Sequence, residues 1–291
     1  MIEKMSFVTL AGPKNEIDYL VTHYLSKHDI HLENALAEFS SSDQFTTYNE
    51  ENPFKDALNK SHELMGLVKN PEKVKIENIS IKSAEGFIDK IDDRLSDIED
   101  EISKLNTQIQ ALDADFNSLA PFKGLNYTLK GIYDMDFFKY RFGKIPKVNF
   151  DKFESYLDPD INAIFITTLA ATEYVYGVFF APNEYFEEVA KDFKNINFDE
   201  IAIAKKYKDF PDKECENILS QKEDLQKQVQ AKEDSINDVI EESKTKLVSA
   251  IRRIETAYSN FDVRKLSAVT RESGVNFQVL CGWMATKESK K

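Results

Sequence analysis

The segment GFIDKIDDRLSDIEDEISKLNTQIQALDADFNSLAP, residues 86–121, decides the fold of this chain. Within it Ile88, Ile91, Leu95, Ile98, Ile102, Leu105, Ile109, Leu112, Phe116 and Leu119 recur at alternating steps of three and four until Pro121 stops the helix. Such a seam is the signature of a helix that buries one stripe against a partner helix. Leu225, Val229, Ile236, Val239, Leu247, Ala250, Ile254 and Phe261 keep the same beat from Pro211 to Phe261, with Lys222, Lys232 and Ser243 at seam positions. An antiparallel pairing of the two ribbons buries both seams without the translational cost of association. At about 1.5 Å per residue the shared length predicts a rod of roughly 45 to 50 Å. The rival pairing sets each long helix against its copy in a second chain, as a parallel dimer. Either way the periodicity points to a spacer rather than a pocket.

With 291 residues, 42% of them hydrophobic, the chain can bury the cores of two ordinary domains. Its 38 basic and 51 acidic residues leave a net charge of −13, which repels phosphate backbones and anionic lipid, so nucleic acid is not an expected partner. Cys215 and Cys281 lie far apart and no signal peptide opens the chain, which fits a reducing, cytoplasmic setting with no disulfide. The most apolar run, residues 161–181, is broken by Asn162, Thr167, Thr168, Thr172 and Glu173. Its β-branched and aromatic residues read better as two buried strands than as a membrane span.

Outside the ribbons the chain alternates short strands and helices. Met5 to Leu10 predicts a strand stopped by Gly12 and Pro13, followed by a helix carrying Ile17, Leu20, Val21, Tyr24 and Leu25 and an extended piece at Ile30 to Leu32. A polar stretch, Ser40 to Asn52, leads to a helix with Phe54, Leu58, Leu64 and Val68 that Pro71 closes, and Val74, Ile76, Ile79 and Ile81 partly alternate. Residues 121–210 form an insert. It opens with a helical signal over Phe122 to Tyr133, then a strand at Phe137 to Phe142, a turn at Gly143 and Pro146, and a helix over Phe150 to Leu157. Two strands follow, then a helix carrying Phe186, Val189, Ala190 and Phe193, and a last strand at Phe198 to Ile203. The order β, α, β, β, α, β is the ferredoxin-like pattern. After the second ribbon come a helix from Val263 to Glu272, its stop at Gly274, and a strand from Val275 to Trp283 beside Met5 to Leu10. The expected fold is α+β, an elongated dumbbell of two α/β lobes. Residues 1–83 with 262–291 form the terminal lobe, 84–120 with 211–261 the antiparallel two-helix rod, and 121–210 the distal ferredoxin-like lobe.

Chemistry-bearing motifs are absent. No G-x-x-x-x-G-K-[ST] loop cradles phosphates and no G-x-G-x-x-G cluster occurs among the nine glycines, so neither ATP hydrolysis nor a dinucleotide cofactor is expected. His23, His28 and His31 with Glu33 are the nearest approach to a metal set, in no recognised spacing, and solvated histidines at a helix end explain them equally. Asp92 with Asp93, and Glu99, Asp100 and Glu101, fall between seam positions and read as a solvated face. No catalytic, cofactor or metal residue is assigned and no small-molecule substrate is expected. The insert's aromatics, among them Phe137, Phe138, Tyr140, Phe142, Tyr174, Tyr176, Phe179, Phe180, Tyr185, Phe186, Phe193 and Phe198, are mostly core, and any left exposed are interface anchors.

The ends of the chain resemble a known family. Residues 2–10, IEKMSFVTL, the stretch Ile30-His31-Leu32-Glu33, and Gly282-Trp283-Met284 are similar to the cytoplasmic N-terminal half of subunit I of bacterial and archaeal V-type (A/V) ATPases, whose eukaryotic relative is subunit a. Weaker echoes are Gly143-Lys144-Ile145-Pro146, and Phe198 to Ile203 followed by Pro211 and Glu214. The resemblance spans essentially the whole chain. Ala285 stands where a proline usually follows the tryptophan motif, and Asp29 where a glycine is common, changes that concern turns rather than chemistry. The resemblance implies a non-enzymatic stator subunit of a rotary ATPase or ATP synthase that supports proton or sodium movement. It implies peripheral-stalk subunits E and G as partners, with the central stalk's C subunit within reach from the cytoplasmic side of the membrane. The family's full subunit continues into a membrane half carrying the ion half-channel and its arginine, and no residue up to Lys291 corresponds to these. A free-standing coiled-coil scaffold without rotary partners is the alternative, and an enzyme built on the histidines is a third.

Overall fold

The computed structural model describes residues 3–13, 16–38, 44–155, 162–270 and 277–289. In chain order its elements begin with β1 (Met5–Pro13), α1 (Ile17–His23), β2 (Ile30–Glu33), α2 (Ala35–Glu38), β3 (Phe45–Thr47), α3 (Lys55–Leu67) and the long α4 (Ile81–Leu119). They continue with α5 (Leu129–Tyr133), β4 (Phe138–Pro146), α6 (Lys147–Ser155), β5 (Ile164–Ala170), β6 (Tyr174–Pro182), α7 (Phe186–Asn195) and β7 (Asp199–Glu200). The second long helix, α8 (Pro211–Asp262), precedes β8 (Ala268–Thr270) and β9 (Phe277–Ala285). The fold is α+β, with two antiparallel sheets and two long helices. Its residues group into two compact units, one of Met1–Asp97 with Ser235–Lys291 and the other of Ile98–Asp234.

In the first unit β9 is the organising strand. β1 pairs along one side of it from Met5↔Ala285 to Pro13↔Phe277. Its other side is shared by β2, at Ile30↔Met284 to Glu33↔Cys281, and by β8, whose far edge takes β3. One sheet face buries Leu280 against Ile17, Val21 and Leu25 on and just after α1. The opposite face buries Cys281 against Ala35 of α2 and Ala268 of β8. Ser80 caps α4, its hydroxyl accepting the Ser83 N–H at 3.2 Å. Lys60 of α3 binds Asp89 at 2.8 Å and Asp92 at 3.0 Å on α4. The apolar stripe of α4 is buried at Ala84, Ile88, Ile91 and Leu95, and that of α8 at Leu247, Ala250, Ile251 and Ile254. The Lys246 ammonium of α8 sits over the Phe87 ring of α4 at 4.4 Å.

The second unit carries the sheet order β5-β6-β4-β7 with every neighbour antiparallel. That is the ferredoxin-like arrangement, first and third strands central and second and fourth outside. One face buries Phe179 with Phe186 and Phe193 of α7. The other buries Phe142 and Val178 with Phe122, Leu129 and Ile132, and with Leu119, Cys215 and Ile218 from the helices. Glu214 opens α8 by accepting the N–H groups of Lys208 and Asp209 at 2.8 and 2.9 Å. Here the helices pair through the seam lysines. Lys222 binds Asp113 at 2.6 Å and Lys232 binds Glu101, so rising numbers on one helix meet falling numbers on the other. The antiparallel pairing predicted from the periodicity is the one observed.

Several local expectations change. β1 runs through Gly12 and Pro13 instead of stopping at them, a proline being tolerable on an edge strand. Gly143 and Pro146 lie inside and at the end of β4 rather than in a turn. A Cβ on Gly143 would sit 2.4 Å from the Asp199 carbonyl oxygen, so close approach by β7, not chain reversal, requires the glycine. The last strand of the insert shrinks to Asp199–Glu200. The helix expected from Val263 to Glu272 is a 3-10 turn at Val263–Leu266 followed by β8, because pairing with β3 and β9 overrides the helical spacing of Val263 and Leu266. β3 arises inside the polar stretch Ser40 to Asn52, and residues 75–80 form no regular structure. Ile2, Leu157, Ile161, Glu272, Gly274 and Val275 lie outside the described residues.

Candidate docking surfaces

The residues with metal-binding or acid–base potential are not brought together. His23 stacks on Tyr19 with ring centroids 4.1 Å apart, His28 lies 3.7 Å from Glu288, and His31 lies 3.8 Å from Glu33. Among the described residues no group of three or more His, Cys, Asp and Glu is placed to hold a metal ion. Asp92 is held by Lys60 and Glu101 by Lys232, whose contact lowers the Glu101 carboxyl pKa below its ordinary value. Cys215 and Cys281 are both buried, and burial pushes both thiols up, away from the reactive thiolate. Among the described residues no helix is long and apolar enough to cross a membrane, and residues 164–182 form β5 and β6 with the turn between them.

Two apolar surfaces stand out among the described residues. The first lies on the β1-β9-β2 face of the first unit. Phe7, Trp283 and His31 are directly opposed across three strands, so all three project from one side of the sheet, and Met5 joins them two residues along. Phe7 and Trp283 meet edge to face with centroids 5.1 Å apart, yet stay 40% and 42% exposed. An aromatic pair left this exposed offers large contact area at small entropic cost.

The second surface belongs to the ferredoxin-like unit. Alternation along β4 sends Phe142 into the core beside Phe122 and places Phe138 on the same face nearer the strand's start, where it stays exposed. Phe138, Phe180, Ile164 and Ile166 floor an apolar groove of about 260 Å³ that Tyr127 and Met135 wall. Ile164 in that floor is 61% exposed, and Phe137, which precedes β4, is 80% exposed. A second cleft of about 370 Å³ shares Met135 and Phe138 and runs between β4 and residues 200–205. Strand β7 leaves β4 after two paired residues, so along Phe138 to Arg141 the edge lacks a strand neighbour, and the Tyr140 carbonyl accepts from the Arg141 guanidinium at 3.0 Å instead.

The structure thus sorts the insert's aromatics. Phe142, Phe179, Phe180, Phe186 and Phe193 are buried, while Phe137, Phe138 and Tyr185 are exposed. The Phe7 and Trp283 pair was not singled out as a surface by sequence reasoning, although both lie in the motifs that carry the family resemblance. The opposition of an N-terminal and a C-terminal aromatic could have been found from the predicted pairing of the first and last strands.

No protein-family model matches the chain, and no curated protein matches it. Among solved structures it is similar to the crystal structure of the cytoplasmic N-terminal domain of subunit I, homologue of subunit a, of V-ATPase. The identity is 12%, the match covers 99% of this chain and 95% of that one, and the TM-score is 0.48.

Proposed function

We propose that this chain is a non-catalytic stator component of a rotary V-type ATPase or ATP synthase, acting at the cytoplasmic face of the membrane. In this reading residues 121–210 dock the peripheral-stalk subunits E and G. Residues 1–83 with 262–291 serve the membrane sector, and residues 84–120 with 211–261 are the paired helices that join these duties. Its contribution to proton or sodium movement is mechanical: it keeps the catalytic head from turning with the rotor.

One observation supports the reading most. The three stretches that resemble the family are scattered over 280 residues, yet β1, β2 and β9 set them side by side, with Val8 and Leu32 flanking Gly282. A resemblance produced by chance in three short motifs has no reason to converge on one sheet. The apolar groove around Phe138 supports the docking assignment, because a stator must hold its partners through contacts that survive torque, and buried aromatic anchors supply most of the energy at such interfaces. Paired helices suit the mechanical part, since bending one disturbs a continuous seam.

Size-exclusion chromatography with purified E and G subunits tests the proposal. Co-migration at micromolar concentration is the expected result, and it should be lost in the variant Phe138→Ser. Separate elution of the wild-type chain would contradict the docking role and favour a scaffold without rotary partners.

A further inference from the structure

The outer side of an edge strand carries backbone N–H and C=O groups with no neighbour to take them, which makes it a template for a further strand. Most edge strands among the described residues are blunted. β2 and β3 are four and three residues long, β7 is two residues, both acidic, and β5 carries an irregularity between Thr167 and Leu169. β1 is the exception. It runs nine residues, MSFVTLAGP, with no charged side chain and no break in its register against β9. Its one proline stands at the last position.

Which of its groups face outward follows from one hydrogen bond. The Thr286 N–H donates to the Lys4 carbonyl at 2.9 Å, one step before the pair Met5↔Ala285. In an antiparallel ladder a residue bonded to its opposite number turns both backbone groups toward it, and the next residue turns both away. Lys4, Ser6, Val8 and Leu10 therefore serve β9, while Met5, Phe7, Thr9 and Ala11 aim N–H and C=O at the open side. Among the described residues none of these outward groups has a hydrogen-bond partner. The same four residues carry the exposed side chains of β1.

Such an edge takes an extended strand, and β1 is complementary to its own copy. A two-fold axis normal to the sheet sets two β1 strands antiparallel and keeps their exposed side chains on one face, provided odd-numbered residues oppose odd-numbered ones. Pro13 has no N–H to offer, so registers that draw it into the ladder lose a bond. Centring the axis on Phe7 leaves Pro13 outside. That register sets Phe7 against Phe7 of the copy, Met5 against Thr9, and Glu3 against Ala11, so an aromatic pair lies at the centre and no two like charges are opposed. We propose that β1 docks antiparallel on β1 of a second copy of this chain, about a two-fold axis at Phe7. The exposed row of Phe7 and Trp283 then continues across both sheets. A single strand per side is far less than a standard interface, and the net charge of −13 opposes association, so the dissociation constant falls on the order of 10–100 μM. This inference does not depend on the stator reading.

Sedimentation equilibrium of the full chain between about 1 and 500 μM tests it. Wild type should pass from monomer to dimer across that range. Thr9→Pro removes an outward N–H and no bond to β9, a change that edge strands tolerate, and should weaken the dimer about ten-fold or more. Phe7→Lys opposes two like charges at the axis and should do the same, which holds the test open if Thr9→Pro does not fold. In wild type, amide exchange followed by NMR should slow with concentration at Met5, Phe7, Thr9 and Ala11, and stay constant at Ser6, Val8 and Leu10. A chain that is monomeric throughout, a dimer that both variants leave intact, or concentration-dependent protection outside those four amides would overturn the proposal. Open-ended aggregation would overturn it as well, because an edge occupied by one copy leaves none for a third.

Discussion

Gly282 lies so close to His31 on the neighbouring strand that a Cβ added to it would sit 2.4 Å from the His31 carbonyl oxygen. Backbone, not a movable side chain, fills the space, so the middle of β9 admits no residue larger than glycine without moving β2. Gly282→Ala should destabilise the first unit by about 1–3 kcal/mol, the usual cost of overpacking. Chemical denaturation followed by the fluorescence of Trp283, the single tryptophan, reads it directly.

Phe179 and Phe137 are a matched pair for separating core from surface. Phe179 is buried and stacked on Phe193 with ring centroids 4.2 Å apart, whereas Phe137 is 80% exposed. Phe179→Ala should cost about 3–5 kcal/mol through lost burial and a cavity. Phe137→Ser should leave stability within about 0.5 kcal/mol of wild type, as for ordinary surface sites. Thermal unfolding of both variants checks the contrast.

The pair Asp113 and Lys222 should show modest coupling. Both groups are partly exposed, which screens the attraction, so a double-mutant cycle with Asp113→Asn and Lys222→Met should give about 0.2–1 kcal/mol. Raising the salt concentration should shrink that value further.

Asp115 should make stability sensitive to acid. Burial tends to raise its carboxyl pKa, but hydrogen bonds from Lys206 and Tyr207, at 2.6 and 2.7 Å, outweigh burial and leave it below the ordinary value. A folded-state pKa below the unfolded one contributes stability that is complete above the unfolded carboxylate range, near pH 4, and is lost as pH falls through the folded value. The Tm difference between wild type and Asp115→Asn should therefore be largest near neutrality and shrink at lower pH. A difference that grows on acidification would reverse the sign and refute the assignment.

The long helices were legible because their signal is repetitive: one misplaced residue does not erase a seam from Ile88 to Leu119. The ferredoxin-like order was legible for a related reason, since most strands and helices of the insert carry aromatic residues of their own. Short elements were not. β3 is three residues in a polar stretch, and β8 borrows its stability from strands on both sides. Neither has a local pattern strong enough to read. Gly143 and Pro146 looked like a turn because residue type alone does not distinguish chain reversal from the close approach of another strand. The exposed surfaces were hidden for a different reason. Phe137 and Phe179 are the same residue type in the same kind of neighbourhood, and what separates them is that α7 packs on Phe179 while Phe137 precedes β4.

The claim on which fold and function both depend is that α4 and α8 pair with each other inside one molecule. Carbodiimide joins a carboxylate to an amine only where they touch, so it should link Lys232 to Glu101 and Lys222 to Asp113. Performed on an equal mixture of ¹⁴N- and ¹⁵N-labelled chains, the reaction should yield linked peptides whose two halves carry the same isotope. Linked peptides of mixed isotope at these sites would show each helix paired with another copy's helix and would contradict the account.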